Sequence, residues 1–191
     1  MGKNLETKKR IIETAKENFL KLGFSRVTMD ELSQELGISK KTLYQHFSSK
    51  DKLLEAVVNS LMQEMAKAVQ RVILDSKLDF SEKLAELFVL IGTRIAKFSP
   101  QFISDLRRDA PYLWEKIDHF RKEKIVANFD KLFEEGVKQG IFRKDLDHEL
   151  LLRIYLGLVQ NLINPKVLSE ISFSAVQVFE SIIKVIFEGI L

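Results

Sequence analysis

Residues 28–53 read TMDELSQELGISKKTLYQHFSSKDKL. Small polar and cationic groups crowd this stretch, and its few apolar residues fall at helical intervals. Thr28 stands three residues before Glu31, the spacing of a capping box. Val27 and Leu32 sit where a hydrophobic staple would close around that cap. Gly37 supplies the left-handed backbone that ends a short helix sharply. Ser39 then caps a second helix, with Ile38 and Leu43 as its staple, and SSKD at 48–51 opens a third, long one through about Asp75. Two short helices across a tight glycine turn make a helix-turn-helix.

The second short helix can be read by angle. At about 100° per residue, Leu43 and Phe47 share the inward face. Lys41 and Gln45 point most directly away; Lys40 and Tyr44 line one flank, Thr42 and His46 the other. The DNA major groove admits one helix whose central side chains reach base edges while its flanks meet phosphates. Lysine donates to guanine, and glutamine exchanges paired hydrogen bonds with adenine. Thr28 and Lys50 stand at two further helix N-termini, where backbone N–H groups favour an anion. The plainer alternative is a solvated face on a three-helix cap. Double capping, the glycine turn and the angular sorting favour double-stranded DNA. The candidate contacts are Thr28, Ser39, Lys40, Lys41, Thr42, Tyr44, Gln45, His46 and Lys50.

Upstream, Ile12, Ala15, Phe19 and Leu22 recur at helical spacing, predicting a helix from about residue 4 that stops at Gly23. Residues 1–50 hold ten Lys and Arg against six Asp and Glu, while the remainder hold twenty against twenty-one. The basic end is therefore the end that carries the motif, as a polyanion partner requires.

The stretch VTMDELSQELGISKKTLYQHFSSKDKLLEAV, residues 27–57, resembles the DNA-binding signature of the TetR (tetracycline-repressor) family of bacterial transcriptional regulators. The resemblance covers about residues 8–58. Further on, GIFRKDLDHELL at 140–151 resembles a linker common before that family's penultimate helix. The resemblance implies a homodimer whose C-terminal domain holds the dimer interface and an effector pocket. It carries DNA contacts to Thr28, Lys40, Lys41, Thr42, Tyr44, Gln45, His46 and Lys50. The family varies most at its base-reading positions, so no operator sequence carries over.

Composition fits a helical chain. With 46% hydrophobic residues, only 8 Gly and 3 Pro, long helices suit it better than strands joined by many tight turns. No Cys is present, which removes disulfides and thiolate metal sites and agrees with a reducing cytoplasm. The polar opening MGKNLETKKRIIETAKENF lacks the apolar core of a secretory signal. The most apolar regions are interrupted by Arg153, Gln160, Asn161, Glu180 and Lys184, short of the span of about 20 apolar residues that crosses a membrane. The predicted fold is all-α, with a helix-turn-helix domain at 1–50 and a larger helical domain at 51–191 for dimerisation and effector binding.

In the larger domain, helices are predicted over Ser81–Lys97, within the proline-bracketed PQFISDLRRDAP, over Leu113–Lys138, from Asp147 to about Ile163 before Pro165, and from about Ser172. The last two are apolar over much of their circumference, LLLRIYLGLVQNLI at 150–163 and FSAVQVFESIIKVIFEGIL at 173–191. Such helices need cover on several sides; a large monomer core is one way to supply it, and a second copy, forming a four-helix interface, is the favoured reading. Phe88, Phe98, Phe102, Trp114, Phe129 and Tyr155 are candidates to line a pocket for an apolar or aromatic small molecule, although each taken singly reads as core. Arg107 and Arg108 could attract an anionic group but read rather as a solvated charge pair. The histidines His46, His119 and His148 have no metal-site spacing, and no nucleophile elbow or phosphate loop appears, so neither catalysis, a metal nor a cofactor is expected. The resulting expectation is a DNA-binding repressor released by a small molecule. Its rivals are a DNA-binding protein whose C-terminal domain takes a protein partner, and an all-α enzyme.

Overall fold

The computed structural model describes residues 2–141, 143–162, 167, 170–173 and 175–190, and among them the regular structure is helical. In chain order come α1 (Gly2–Leu22), α2 (Met29–Glu35), α3 (Lys40–His46), α4 (Lys50–Leu74) and α5 (Phe80–Ile95). They are followed by α6 (Pro100–Asp109), α7 (Pro111–Phe120), α8 (Ala127–Lys138), α9 (His148–Leu162) and α10 (Ala175–Ile190). The chain packs as two compact units. One comprises Met1–Glu64 with Phe98–Asp118, the other Met65–Lys97 with His119–Leu191. The division of roles expected at residue 50 falls inside α4's first residue, whereas these packing units divide α4 near its middle and borrow a later segment.

The first unit is built on α1. Ile11, Ala15 and Phe19 repeat at four-residue spacing and are fully buried, with Leu32 of α2, Leu43 of α3 and Leu53, Leu54 and Val57 of α4 around them. Phe102 and Leu106 of α6 and Leu113 of α7 complete this core. The proline-bracketed segment is thus a short helix, as expected. Ser99 caps it, accepting from the Phe102 N–H at 3.2 Å, and Pro100 occupies a first-turn position where no N–H is missed. Its seat on α1 is close. Gly23 has φ 89°, and a Cβ there would lie 2.5 Å from Gln101 Cγ, so both the backbone and the contact require glycine.

The second unit has its own core. Leu84, Phe88 and Ile91 of α5 meet Phe133 of α8, Leu152 and Tyr155 of α9, and Val178, Ile182 and Ile186 of α10. The Phe88 and Tyr155 rings pack edge to face at 4.5 Å, and the Tyr155 hydroxyl donates to the Phe88 carbonyl. Val69, Val72, Leu87 and Leu132 form a smaller cluster beside it.

Several boundaries differ from those predicted. An Asp79–Glu82 capping box starts α5 at Phe80, with reciprocal bonds of 2.9 Å. The helix predicted over Leu113–Lys138 begins at Pro111 and passes through a π-helical stretch, Arg121–Val126. A π turn is an extra residue in the helical ladder, which a 3.6-residue period cannot register. Residues 171–173 form a bend rather than the first turn of the last helix, which begins at Ala175. The stop predicted at Ile163 and Pro165 lies outside the described residues. Asp147 does cap α9, accepting from the Leu150 N–H at 2.7 Å. Among the described residues, no helix is long and apolar enough to cross a membrane.

Candidate nucleic-acid interface

The helix-turn-helix is held by local bonds. At the start of α2, Thr28 Oγ1 accepts from the Glu31 N–H at 3.1 Å, and Glu31 Oε2 accepts from the Thr28 N–H and hydroxyl, each at 2.8 Å. These Thr28 donors hold the Glu31 carboxyl below its usual range. At the exit, Gly37 has φ 65°; its N–H donates to the Gln34 carbonyl at 3.1 Å and the Ile38 N–H to the Ser33 carbonyl at 3.0 Å. This pair of bonds is a Schellman stop. Ser39 Oγ then accepts from the Thr42 N–H at 3.0 Å and starts α3.

With its ends fixed, α3 sorts its faces as the angles require. Leu43 is fully buried and Phe47, just past the helix, is 5% exposed. Lys40, Lys41, Tyr44 and Gln45 are exposed, while Thr42 and His46 are half-buried at the flank. These six share one helix, with Ser39 at its N-terminus and Thr28 at that of α2. Not all are free. Lys40 Nζ pairs with Asp30 across the turn, and the Ser39 and Thr42 hydroxyls lie 2.8 Å apart. The Lys40 pair is exposed, a kind worth about 0.2–1 kcal/mol, so a phosphate can replace it.

Lys50 is placed differently from a side chain waiting in solvent. Its Nζ lies 4.2 Å from the centre of the Phe24 ring and donates to the Ser25 carbonyl at 3.4 Å. Partial burial draws its ammonium below the usual range, against the pull of Asp51, Asp105, Asp109 and Glu31. Any phosphate it meets must compete with that ring and carbonyl.

At the turn between α1 and α2, which carries Ser25, lies a polar network that sequence reading missed. Asp105 of α6 is fully buried. Its carboxylate accepts from the Ser25 N–H at 2.8 Å, Gln101 Nε2 at 2.6 Å and an Arg108 guanidinium N–H at 3.0 Å. Burial by itself would raise the carboxyl, but these donors outweigh it and hold Asp105 below its usual range. Arg108 also reaches Ser25 Oγ at 2.9 Å and both Asp109 oxygens, bringing Asp109 down to about 2. Arg107 lies 4.4 Å over the Trp114 ring. The two arginines are therefore not the simple solvated pair expected. A spacing of 80 residues separates Asp105 from Ser25, and no local motif announces such a pair.

Two family models match the chain. The model for bacterial regulatory proteins of the tetR family matches residues 11–57, and that for the YsiA-like protein C-terminal region matches residues 52–189. The chain belongs to the TetR family. It is a DNA-binding transcriptional regulator. The regulator is 29% identical over 182 residues to the HTH-type transcriptional regulator YvaF of Bacillus subtilis, covering 95% of this chain and 94% of that one. It is 28% identical over 148 residues to the HTH-type transcriptional repressor KstR2 of Mycolicibacterium smegmatis, covering 75% and 71%. Its fold matches the crystal structure of the transcriptional regulator FadR from Bacillus subtilis in complex with stearoyl-CoA at a TM-score of 0.70 and 20% identity, covering 96% and 99%.

The six aromatic residues proposed for an effector pocket divide between the regulator's two units. Phe102 is fully buried in the core of the first, with Phe98 and Trp114 packed against it. Phe88 and Tyr155 sit in the core of the second. The side chain of Phe129 lies outside the described residues. Burial pushes the Tyr155 hydroxyl up, so it stays a neutral donor.

Proposed function

We propose that the regulator is a homodimeric repressor that reads its operator with α3 and leaves it when a molecule with a long apolar chain binds the larger unit. The observation that carries the DNA half is the exposure of Lys41 and Gln45 directly above the buried Leu43 and Phe47. Two copies put two such helices on successive turns of a duplex, which sets the half-site spacing. Leu150 and Ile154 of α9 and Val185 of α10 are 56%, 48% and 69% exposed, an apolar surface that supports pairing through those helices. The likeness to KstR2, a repressor, and to FadR holding stearoyl-CoA supports release by an apolar-chain effector, and an acyl-CoA is the class we assign. Release is a population shift: the effector favours dimers whose recognition helices no longer match adjacent grooves. Such a protein works on the chromosome, in the cytoplasm, and needs no catalytic group.

The test begins with an operator selected from random duplexes. Lys41→Ala should cost about 1–3 kcal/mol on that operator and less on a variant lacking the contacted guanine. Acyl-CoAs of increasing chain length should then lower operator affinity in order of their own binding. A tightly bound acyl-CoA that leaves operator affinity unchanged would remove the effector assignment. Equal loss on every sequence for Lys41→Ala would remove base reading by that residue.

A further inference from the structure

A shallow groove of about 320 Å³ runs beside the recognition helix, and none of the assigned DNA contacts except His46 belongs to it. Its walls come from three parts of the first unit: Lys8 of α1, the end of α3 and the turn after it with His46, Phe47 and Ser48, and Lys52, Glu55, Ala56 and Asn59 along α4. Lys8 and Lys52 are exposed, with Lys8 Nζ 5.6 Å from the centre of the Phe47 ring. The Phe47 ring therefore faces the Lys8 ammonium beside the turn. The exposed Ser48 hydroxyl stands at the same turn. At the far end, Lys116 Nζ donates to Asn59 Oδ1 at 2.8 Å.

The one carboxylate in the wall, Glu55, pairs with Lys52 at 3.1 Å. That pair is three residues apart on one helix, with Lys52 exposed and Glu55 half-buried, and it engages one of the three ammonium N–H groups, leaving the others for another acceptor. Lys8, His46, Lys52 and Ser48 are thus donors from three helices and a turn. They converge on a groove continuous with the α3 flank that carries Thr42 and His46. Base edges lie along the middle of α3, so a groove at its flank meets the sugar–phosphate backbone instead.

We propose that this groove seats backbone phosphates of the DNA flanking each half-site, with Lys8 and Lys52 as anchors that carry no base information. The inference rests on the DNA-binding role of α3 and enlarges its footprint to Lys8 of α1 and to Lys52 in the first turn of α4. Phosphate contacts position a protein on the duplex and release counterions, so their removal lowers the salt dependence of binding without changing sequence preference.

The experiment measures affinity for the selected operator and for an unrelated duplex at several salt concentrations. Lys8→Met keeps a flexible apolar side chain and removes the charge beside Phe47; Lys52→Met removes the charge on α4 in the same way. Each should lower the slope of log affinity against log salt by about 0.9, and the double variant by about 1.8, with equal fold losses on both duplexes. Trimming the duplex to the segment under α3 should erase the difference from the native protein, and Lys8→Arg should restore the native slope. Lys9→Ala is the control, because Lys9 lines a separate groove with Glu6, Glu13 and Glu35 and should leave the slope unchanged. Thermal unfolding checks that each variant is folded. A native slope in the double variant overturns the proposal, as does a loss confined to the selected operator. Absence of any salt-dependent binding by the native protein would instead count against the role of α3 itself.

Discussion

Ser25 offers its backbone N–H and its hydroxyl to α6, and two carboxylates take them, Asp105 the first at 2.8 Å and Asp109 the second at 2.8 Å. Both carboxyls are held below their usual range in the folded chain. A carboxyl depressed by folding contributes stability above its unfolded pKa of about 3.9, and that contribution disappears as pH falls through the folded value. For Asp109 the loss therefore runs from near pH 4 down to about 2. Asp105→Asn replaces one acceptor oxygen with a donor among the donors of Ser25, Gln101 and Arg108. We expect it to destabilise the protein by about 1–3 kcal/mol at neutral pH and to flatten the acid limb of the stability curve. Denaturant unfolding at a series of pH values measures both. Native stability and an unchanged acid limb in Asp105→Asn would show that this carboxylate does not anchor the turn.

At the scale of elements, the two glycine stops next to the DNA-reading helices differ in a way that predicts different costs. Gly37 has φ 65° and open space around it, so Gly37→Ala meets only the left-handed backbone penalty, about 1–2 kcal/mol. Gly23→Ala meets that penalty and a 2.5 Å approach to Gln101 Cγ as well. Its unfolding midpoint should fall further, and the reverse order would mean that α6 is not seated there as described. This contrast also marks where sequence reading stops. The capping box at Thr28, the stop at Gly37 and the cap at Ser39 were legible because their partners lie within five residues. So was the inward pairing of Leu43 and Phe47. The Asp79–Glu82 box has the same spacing and could have been found; the apolar run beginning later drew the boundary to Ser81. The π stretch at Arg121–Val126 was not legible, since one added residue leaves no compositional trace. Nor could composition divide the aromatic set, because whether Phe102 serves α1 or Phe88's neighbours depends on contacts formed far along the chain. Lys50 was legible as a cation at a helix start, but its seat on Phe24 was not.

At the scale of the whole molecule, the exposed apolar residues of α9 and α10 lead to a test of assembly. Val185 lies between the buried Ile182 and Ile186 and is itself 69% exposed. Val185→Arg leaves the unit's own core intact while placing a charge on the surface proposed to meet a second copy. Sedimentation should show its dimer weakened by roughly tenfold or more, with operator affinity falling in parallel. A variant that sediments like the native protein would move the proposed interface elsewhere. The first unit carries another consequence, in the order of synthesis. Residues 1–64 leave the ribosome before Phe102, Leu106 and Leu113, which close their core, and the intervening 65–97 belong to the other unit. At about 5–20 residues per second, translating those 33 residues alone takes about 2–7 s. For that interval the nascent head has its recognition helix but lacks the lid over Ile11, Ala15 and Phe19. A chain arrested there would expose that apolar surface to chaperones, and a gene fragment ending near residue 64 would encode a reading head without the piece that holds it shut.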